Sequence, residues 1–386
     1  MTCSTELFNV KNNTPLQYAE MFIDRYINKI PAPELSFLCF CPVGKVFNYP
    51  QGIVLRGIQE VCERNGKSEY KKYITDWIES VTDKNGIPIH NEHGWSSKDS
   101  LDFRQAGNLF FDLYNETKDQ KYINCLDFLF KEMKNFNKTP HGCFSHNVAE
   151  ERKGQIYIDG LFMAGPASVK YAVLSNDAEL LDIALKQPII MWDNIRDHKT
   201  GLLRHAYDEY KKADWADKET GLSGFVWGRG IGWYVAAITE MYEAAPKDHK
   251  YIARIREIIK ELFENIIKYQ SPKGRWYQVV DRADDPRNWI DNSGTFLILY
   301  AMAKAIKNKV IDESYTKNLL LGYRDAIENS TVITDDDFKI LDICAGTTVG
   351  ENVEFYYYRP RVINEAHGVA GFLLMCAEID AMLKND

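Results

Sequence analysis

Residues 156–166 read IYIDGLFMAGP, and one of these eleven side chains, Asp159, is a carboxylate. An ionised carboxylate inside an apolar stretch is costly unless something pairs with it or uses it. Asp is also a preferred helix N-cap, and the Gly160 and Pro166 that follow suit a helix entrance. A cap, however, needs only one short oxygen, which Ser or Thr supplies without a buried charge. Asp102, in LDFRQAG, stands at the corresponding place of another helical segment. Two acids facing each other push one another's pKa upward, which leaves one protonated and able to act as a general acid. The competing reading is an acid favoured by the helix dipole in a first turn, with Arg104 keeping its neighbour ionised.

A second constellation is FVWGRGIGWY at 225–234. Gly228, Gly230 and Gly232 are poor helix formers, so they ask for a close approach of backbone or ligand. Arg229 and Trp233 are four apart and share a helical face, with Trp227 just outside it. A guanidinium between two indoles suits a carboxylated sugar: a charge-assisted fork for the acid and flat apolar faces for the ring. The alternative is an aromatic core stripe with a structural arginine. The glycine spacing matches no nucleotide fingerprint. His146 (GCFSHN) and His205 (LLRHAYDE) lie on long loops that precede apolar helical segments, where a lone histidine is more often incidental than catalytic, with Asp208 placed to orient His205 or to be solvated. Tyr49 (FNYPQGIVLRG) either binds substrate or staples a loop, and YYYRPRVINEAHG at 356–368 offers aromatic and basic side chains. Cys39 and Cys41 form a lone C-x-C, and His90 and His93 read as solvated loop residues, so no metal is expected. No Ser or Thr sits in a readable nucleophile triad.

The elements that must position these residues have helical period almost throughout. Twelve segments stand out, near 14–30, 52–64, 68–83, 100–116, 119–135, 159–174, 177–194, 228–244, 249–269, 291–307, 313–328 and 362–383. One set is amphipathic, as in KYIARIREIIKELFENIIKYQ; the other is apolar all round, as in GVAGFLLMCAEIDAML, and so is buried on every side. Each apolar helix passes to the next amphipathic one through a short turn, and four of the five turns carry Tyr at the same place. This is an internal repeat of one helical hairpin. The return connections, near 31–51, 84–99, 136–158, 195–227, 270–290 and 329–361, are long, and long loops in compact domains are usually functional. The pattern predicts an all-α chain, an (α/α)6 barrel forming a single domain over 1–386, rather than an open solenoid. Its site lies at the long-loop end, where inner-helix N-termini favour anions. Strand-like runs are few, RWYQVV and EFYYY among them.

Net charge is −8, with acidic and basic residues interleaved, which argues against nucleic acid as a partner. No apolar run reads as long enough to span a bilayer, so no membrane partner is expected. The start, MTCSTELFNV, has no signal-peptide pattern. The expected compartment is the cytoplasm, or the periplasm if a signal peptide was removed.

The motifs YIDGLFMAGP, LLRHAYDE followed by WADKETG, WGRGIGWY and YYYRPRVINEAHGVAGFLL, in that order from about Tyr49 onward, resemble glycoside hydrolase family 105. These are the unsaturated rhamnogalacturonyl hydrolases, related to the unsaturated glucuronyl hydrolases. The resemblance implies an (α/α)6 barrel that hydrates the C4=C5 vinyl ether left on a terminal uronic acid by a polysaccharide lyase, without metal or organic cofactor. It implies Asp159 as the acid that protonates C4 and assists water attack at C5, kept protonated at neutral pH by its apolar setting. Asp102 is then the second acid. His146 and His205 become pocket histidines, and Trp227, Arg229 and Trp233 a wall near the uronate, with Tyr49 a looser match. Two stretches depart from the family pattern: FSHN, where relatives carry Trp before and Lys after the histidine, and NWIDNSGTF. They leave open unsaturated glucuronyl units of ulvan or arabinogalactan type. A conventional inverting glycosidase and a non-catalytic sugar-binding toroid are the remaining alternatives.

Overall fold

A computed structural model describes residues 5–32, 46–92, 96–147 and 149–385; Cys39, Cys41 and His93 lie outside them. The outer helices are α1 (Pro15–Lys29), α3 (Ser68–Val81), α5 (Gln120–Phe130), α7 (Ala178–Ile195), α9 (Ile252–Ile266) and α11 (Thr316–Ser330). The inner helices are α2 (Tyr49–Asn65), α4 (Phe110–Thr117), α6 (Gly160–Ser175), α8 (Gly228–Ala244), α10 (Asn292–Lys307) and α13 (Ala366–Lys384). The outer set buries one stripe, as α9 does with Ile252, Ile255, Ile259, Leu262 and Ile266. The inner set is the more deeply covered: in α13 every residue from Ala366 to Ile379 is buried, while the short α4 buries only Phe110, Phe111 and Leu113.

The inner helices close a ring. α2 packs on the segment leading into α4, that segment on α6, α6 on α8, α8 on α10, α10 on α13, and α13 back on α2. The chain is therefore an (α/α)6 barrel, not an open solenoid. α13 is long and apolar enough to cross a bilayer by length and composition, which corrects the expectation that no run is. Its faces are covered by α1, α2 and α10, so its apolarity is that of a central core helix.

Three of the short turns share one geometry. The helix ends on a left-handed residue, Gly66 (φ 70°), Lys118 (φ 56°) or Asn176 (φ 55°), which reverses the chain at once. Asp119 and Asp177 then cap α5 and α7 with their side chains.

Two elements differ from the sequence reading. The second inner segment begins as a 3-10 helix over Asp102–Leu109 before becoming α4. Every residue from Phe103 to Leu109 is buried, so this tighter helix is packed on all its faces. EFYYY is not a strand but lies in a five-residue helix, α12 (Val353–Tyr357), started by the Asn352 side chain accepting from the Phe355 N–H. RWYQVV makes only isolated bridges, Tyr277 to Ile290 and Val279 to Trp227. The six short strands pair as three antiparallel two-stranded sheets: β1 (Gln155–Tyr157) with β2 (Ala206–Asp208), β3 (Thr331–Ile333) with β4 (Phe338–Ile340), and β5 (Ile343–Cys344) with β6 (Arg361–Val362). All six lie on the long connections and fix how those loops meet at the barrel mouth.

Candidate active site

Each inner element opens on a residue that can do chemistry. Tyr49 starts α2, Asp102 starts the 3-10 helix, and Asp159, Trp227, Asp291 and Glu365 hold the N-cap positions of α6, α8, α10 and α13. Two of the four acids are genuine caps. Asp291 accepts from the N–H groups of Ser293 and Gly294, and Glu365 from that of His367. Asp159 makes no capping hydrogen bond, and Asp102 is the first residue of its helix, whose N-cap position is held by Leu101. The cap reading of Asp159 therefore fails.

Loop pairing brings the histidines to these acids. β1 and β2 lie side by side, and the Ile158 N–H donates to the His205 carbonyl at 3.1 Å, which sets Asp159 next to His205 in the chain fold. The Leu101 N–H donates to the His146 carbonyl at 2.9 Å, tying His146 to the start of the Asp102 turn. Gly160 leaves room for the imidazole: a Cβ there would stand 3.2 Å from His146 Nδ1.

His146 consequently sits between the two acids. Its Nε2 is 3.3 Å from Asp102 Oδ2 and its Nδ1 is 3.9 Å from Asp159 Oδ1. The carboxylates thus face one ring rather than each other across the mouth. Burial pushes the His146 imidazolium down, but Asp102 and Asp159 outweigh it and hold the pKa up at about 9. At neutral pH this ring is a cation. Asp159 Oδ1 is buried and has no hydrogen-bond partner among the described residues, a condition that demands an explanation in a folded protein.

His205 is the opposite case. It is 1% exposed, packs on Trp227 with ring centroids 4.2 Å apart and the planes tilted by 34°, and meets the Tyr356 hydroxyl through Nδ1 at 2.8 Å. Burial pushes its pKa down to about 3, so it is neutral. Asp208 does not orient it. That carboxylate instead accepts from the N–H groups of Tyr210, Lys212 and Ala213 and shapes its own loop.

The expected Arg229 fork is not open. Arg229 is 1% exposed; Nη2 donates to the Ala345 carbonyl at 2.9 Å, and Nη1 donates to the Cys344 carbonyl and to Ser293 Oγ. It stands 4.8 Å from the Trp227 ring. Arg229 is thus the structural arginine of the competing reading, fastening the last long loop to α8. Trp227 and Trp233 are 2% and 1% exposed, so neither presents a bare indole face. Trp233 packs on Phe162 at 4.5 Å and meets His367 edge-on. The glycines of this motif serve backbone approach: a Cβ on Gly230 would stand 2.8 Å from Ile158, beside Asp159. Tyr49 joins a different group, with its hydroxyl 3.1 Å from His367 Nε2.

The model of Glycosyl Hydrolase Family 88 matches residues 18–383. The chain belongs to that family. It is a glycoside hydrolase. A solved family-105 glycoside hydrolase from C. acetobutylicum superposes with a TM-score of 0.86 and 29% identity, covering 94% of this chain and 99% of that one. The 24.9 kDa protein in the picA locus of Rhizobium radiobacter is 28% identical over 229 residues, 56% of this chain and 97% of that protein. The unsaturated 3S-rhamnoglycuronyl hydrolase of Alteromonas sp. is 27% identical over 180 residues, 47% of this chain and 42% of that enzyme.

The structure adds three residues that lie within the stretch 356–368 but were not singled out there: Tyr356, against His205, and Glu365 and His367, against Tyr49. A signal existed for the last two. An acid directly before an apolar helical run, with a histidine two residues on, repeats the placement that singles out Asp159.

Proposed function

We propose that the chain removes the terminal 4,5-unsaturated uronic acid from lyase-generated oligosaccharides by hydrating the vinyl ether, with rhamnogalacturonan-type fragments as the favoured substrates. The observation that carries this reading is Asp159: at an inner-helix start without a capping bond from its side chain, with a buried Oδ1 that has no hydrogen-bond partner among the described residues, beside an imidazolium shared with Asp102. Family membership and the likeness to the family-105 enzyme support the same reaction class. The Alteromonas relative, named for an unsaturated rhamnoglycuronyl unit, supports rhamnose as the leaving sugar.

In this reading Asp159 is protonated once the negative charge of the bound uronate lies beside it, gives that proton to C4, and positive charge develops at C5 and the ring oxygen. Water adds to C5, and the proton it loses returns to Asp159. The hemiketal then opens and expels the neighbouring sugar. His146, charged and held by Asp102, steadies the Asp159 carboxylate formed in the first step and the uronate beside it. His205, neutral, holds or releases a hydrogen bond without adding charge.

The test is ultraviolet absorbance with unsaturated disaccharides that carry rhamnose or another leaving sugar. The conjugated chromophore fades with the wild type, and Asp159→Asn slows the fading by at least ~10²-fold, the usual contribution of a positioned acid. Relative rates then rank rhamnogalacturonan, ulvan and arabinogalactan fragments. Cleavage of saturated glycosides with the chromophore left intact in every unsaturated substrate would instead establish the inverting glycosidase.

A further inference from the structure

With Arg229 engaged by main-chain carbonyls, another guanidinium at the barrel mouth keeps its donors free. Among the described residues, only two arginines make neither a hydrogen bond nor an ion pair, Arg152 and Arg282. Arg282 is exposed and lies over the Phe225 ring. Arg152 is half-buried and lies 5.1 Å over the Tyr157 ring. The nearby Glu150 pairs with Lys153 instead, at 3.6 Å. A charge drawn partly out of water is held at a cost unless an opposite charge meets it.

The backbone brings Arg152 to the catalytic group. A single 3-10 turn, Glu150–Arg152, forms as the Arg152 N–H donates to the Ala149 carbonyl at 2.9 Å. Gly154, at φ 77°, then turns the chain into β1, which carries Tyr157 and leads to Asp159. The Tyr157 ring is fixed by Trp215, edge-on at 6.2 Å, and by Val349 of the last long loop. The same ring lies 5.5 Å from the His146 ring. The charge of Arg152 reaches that imidazole, where it works against the two acids and pulls the His146 pKa down. Two cations thus approach one aromatic ring, and the acids that hold His146 stand at its own nitrogens.

A cation held over an aromatic face keeps its N–H donors for a fork onto a carboxylate or a sulfate. His146 already supplies positive charge beside Asp159, where the uronate reacts. Arg152 is one aromatic ring removed from it, so it meets a part of the substrate next to the reacting sugar. We propose that Arg152 binds an anionic substituent, a carboxylate or a sulfate ester, on the moiety that leaves. The inference rests on the functional reading above and adds to it the charge of the leaving group. The contact is non-covalent, and no bond forms or breaks at Arg152.

Arg152→Met removes the charge and keeps an apolar side chain over Tyr157, and thermal melting checks that the fold is kept. Three unsaturated substrates are compared by loss of the chromophore: one that leaves rhamnose, one that leaves a rhamnose sulfate, and one that leaves rhamnose joined to galacturonate. In Arg152→Met, kcat/KM for the two anionic substrates falls about 10–100-fold, the range of a hydrogen bond to a charged group. The loss is in KM, and the neutral substrate is unaffected. Arg152→Lys recovers part of it, because lysine keeps the charge without the fork. Arg282→Met, the control, changes none of the three. A larger loss with the sulfate identifies a sulfate ester as the anion, and a larger loss with the galacturonate a carboxylate. Equal losses for all three would put Arg152 on the unsaturated uronate itself and overturn the proposal. So would no loss with either anionic substrate, or the same losses in Arg282→Met. If the wild type bleaches none of the three, the reading of the reaction falls, and calorimetric titration of the same saccharides into Asp159→Asn still decides the proposal. Tighter binding of the anionic saccharides that disappears on adding Arg152→Met upholds it, and the absence of that preference overturns it.

Discussion

His146 and His205 come from neighbouring loops yet hold opposite charge states, and the difference follows from what each ring faces. His205 sees an indole and a phenol, so burial dominates and the ring is neutral. His146 sees two carboxylates that outweigh its burial. Its folded pKa, about 9, is above the ordinary 6.5, so its contribution to stability is complete below about pH 6.5 and is lost as pH rises through 9. Asp102→Asn removes the nearer partner, and the basic limb of the pH–rate profile should then move down from about 9 toward neutrality. An unmoved limb, with the His146 ring titrating as before by NMR, would show that Asp102 does not hold the imidazolium. The two acids were legible in the sequence because each interrupts an apolar helix start. The imidazolium between them was not, because it depends on how two loops dock. Arg229 misled for a related reason: its partners are main-chain carbonyls 115 and 116 residues away, which no side-chain pattern records.

Among the elements, the last long loop depends most on a single side chain. Arg229 on α8 reaches the carbonyls of Cys344 and Ala345, and Cys344 belongs to β5, which pairs with β6 directly before Glu365. Asp291 at the start of α10 adds a second tie by accepting from the Cys344 N–H at 2.9 Å. A buried carbonyl left without a donor costs about 1–3 kcal/mol. Arg229→Met should therefore destabilise the chain by roughly 3 kcal/mol, and it should speed hydrogen exchange at 343–345 and 361–362 ahead of the rest of the barrel. Uniform exchange across the molecule would mean that the loop is held by its own packing. The helices themselves were readable in advance because the alternation of amphipathic and wholly apolar segments is a packing requirement written residue by residue. The 3-10 start at Asp102 was not. It lies where α2 approaches so closely that a Cβ on Gly52 would stand 2.5 Å from Ala106 Cβ, and burial of every residue from 103 to 109 leaves no periodic face to read.

At the scale of the molecule, the closed ring places charge in its own interior. Arg56 of α2 meets Glu240 of α8 at 2.5 Å, and Tyr300 of α10 donates to the same carboxylate at 2.9 Å. Lys304 of α10 pairs with Glu243 of α8 at 2.6 Å and with Glu378 of α13 at 2.9 Å, while Lys307 joins both acids. These pairs link inner helices from four different hairpins, so they are satisfied only when the ring closes in the right order. Burial pushes Glu243 up, but Lys304, Lys307 and Asn308 bring its pKa down to about 2, below its ordinary 4.5. Its contribution is thus present above about pH 4.5 and fades as pH falls toward 2. Removing one partner of a buried pair leaves an uncompensated charge, at a cost of about 3–5 kcal/mol, whereas replacing both with apolar groups is often near neutral. Lys304 is 5% exposed and Glu378 1% exposed, so both conditions apply to this pair. Urea unfolding at pH 7 should show Lys304→Met losing about 3–5 kcal/mol and the double variant Lys304→Met/Glu378→Leu recovering part of that loss. Recovery identifies the network as a device that specifies which helices adjoin. A double variant worse than Lys304→Met alone would instead make the paired charges a net source of stability, with Lys307 left facing Glu243 across the core.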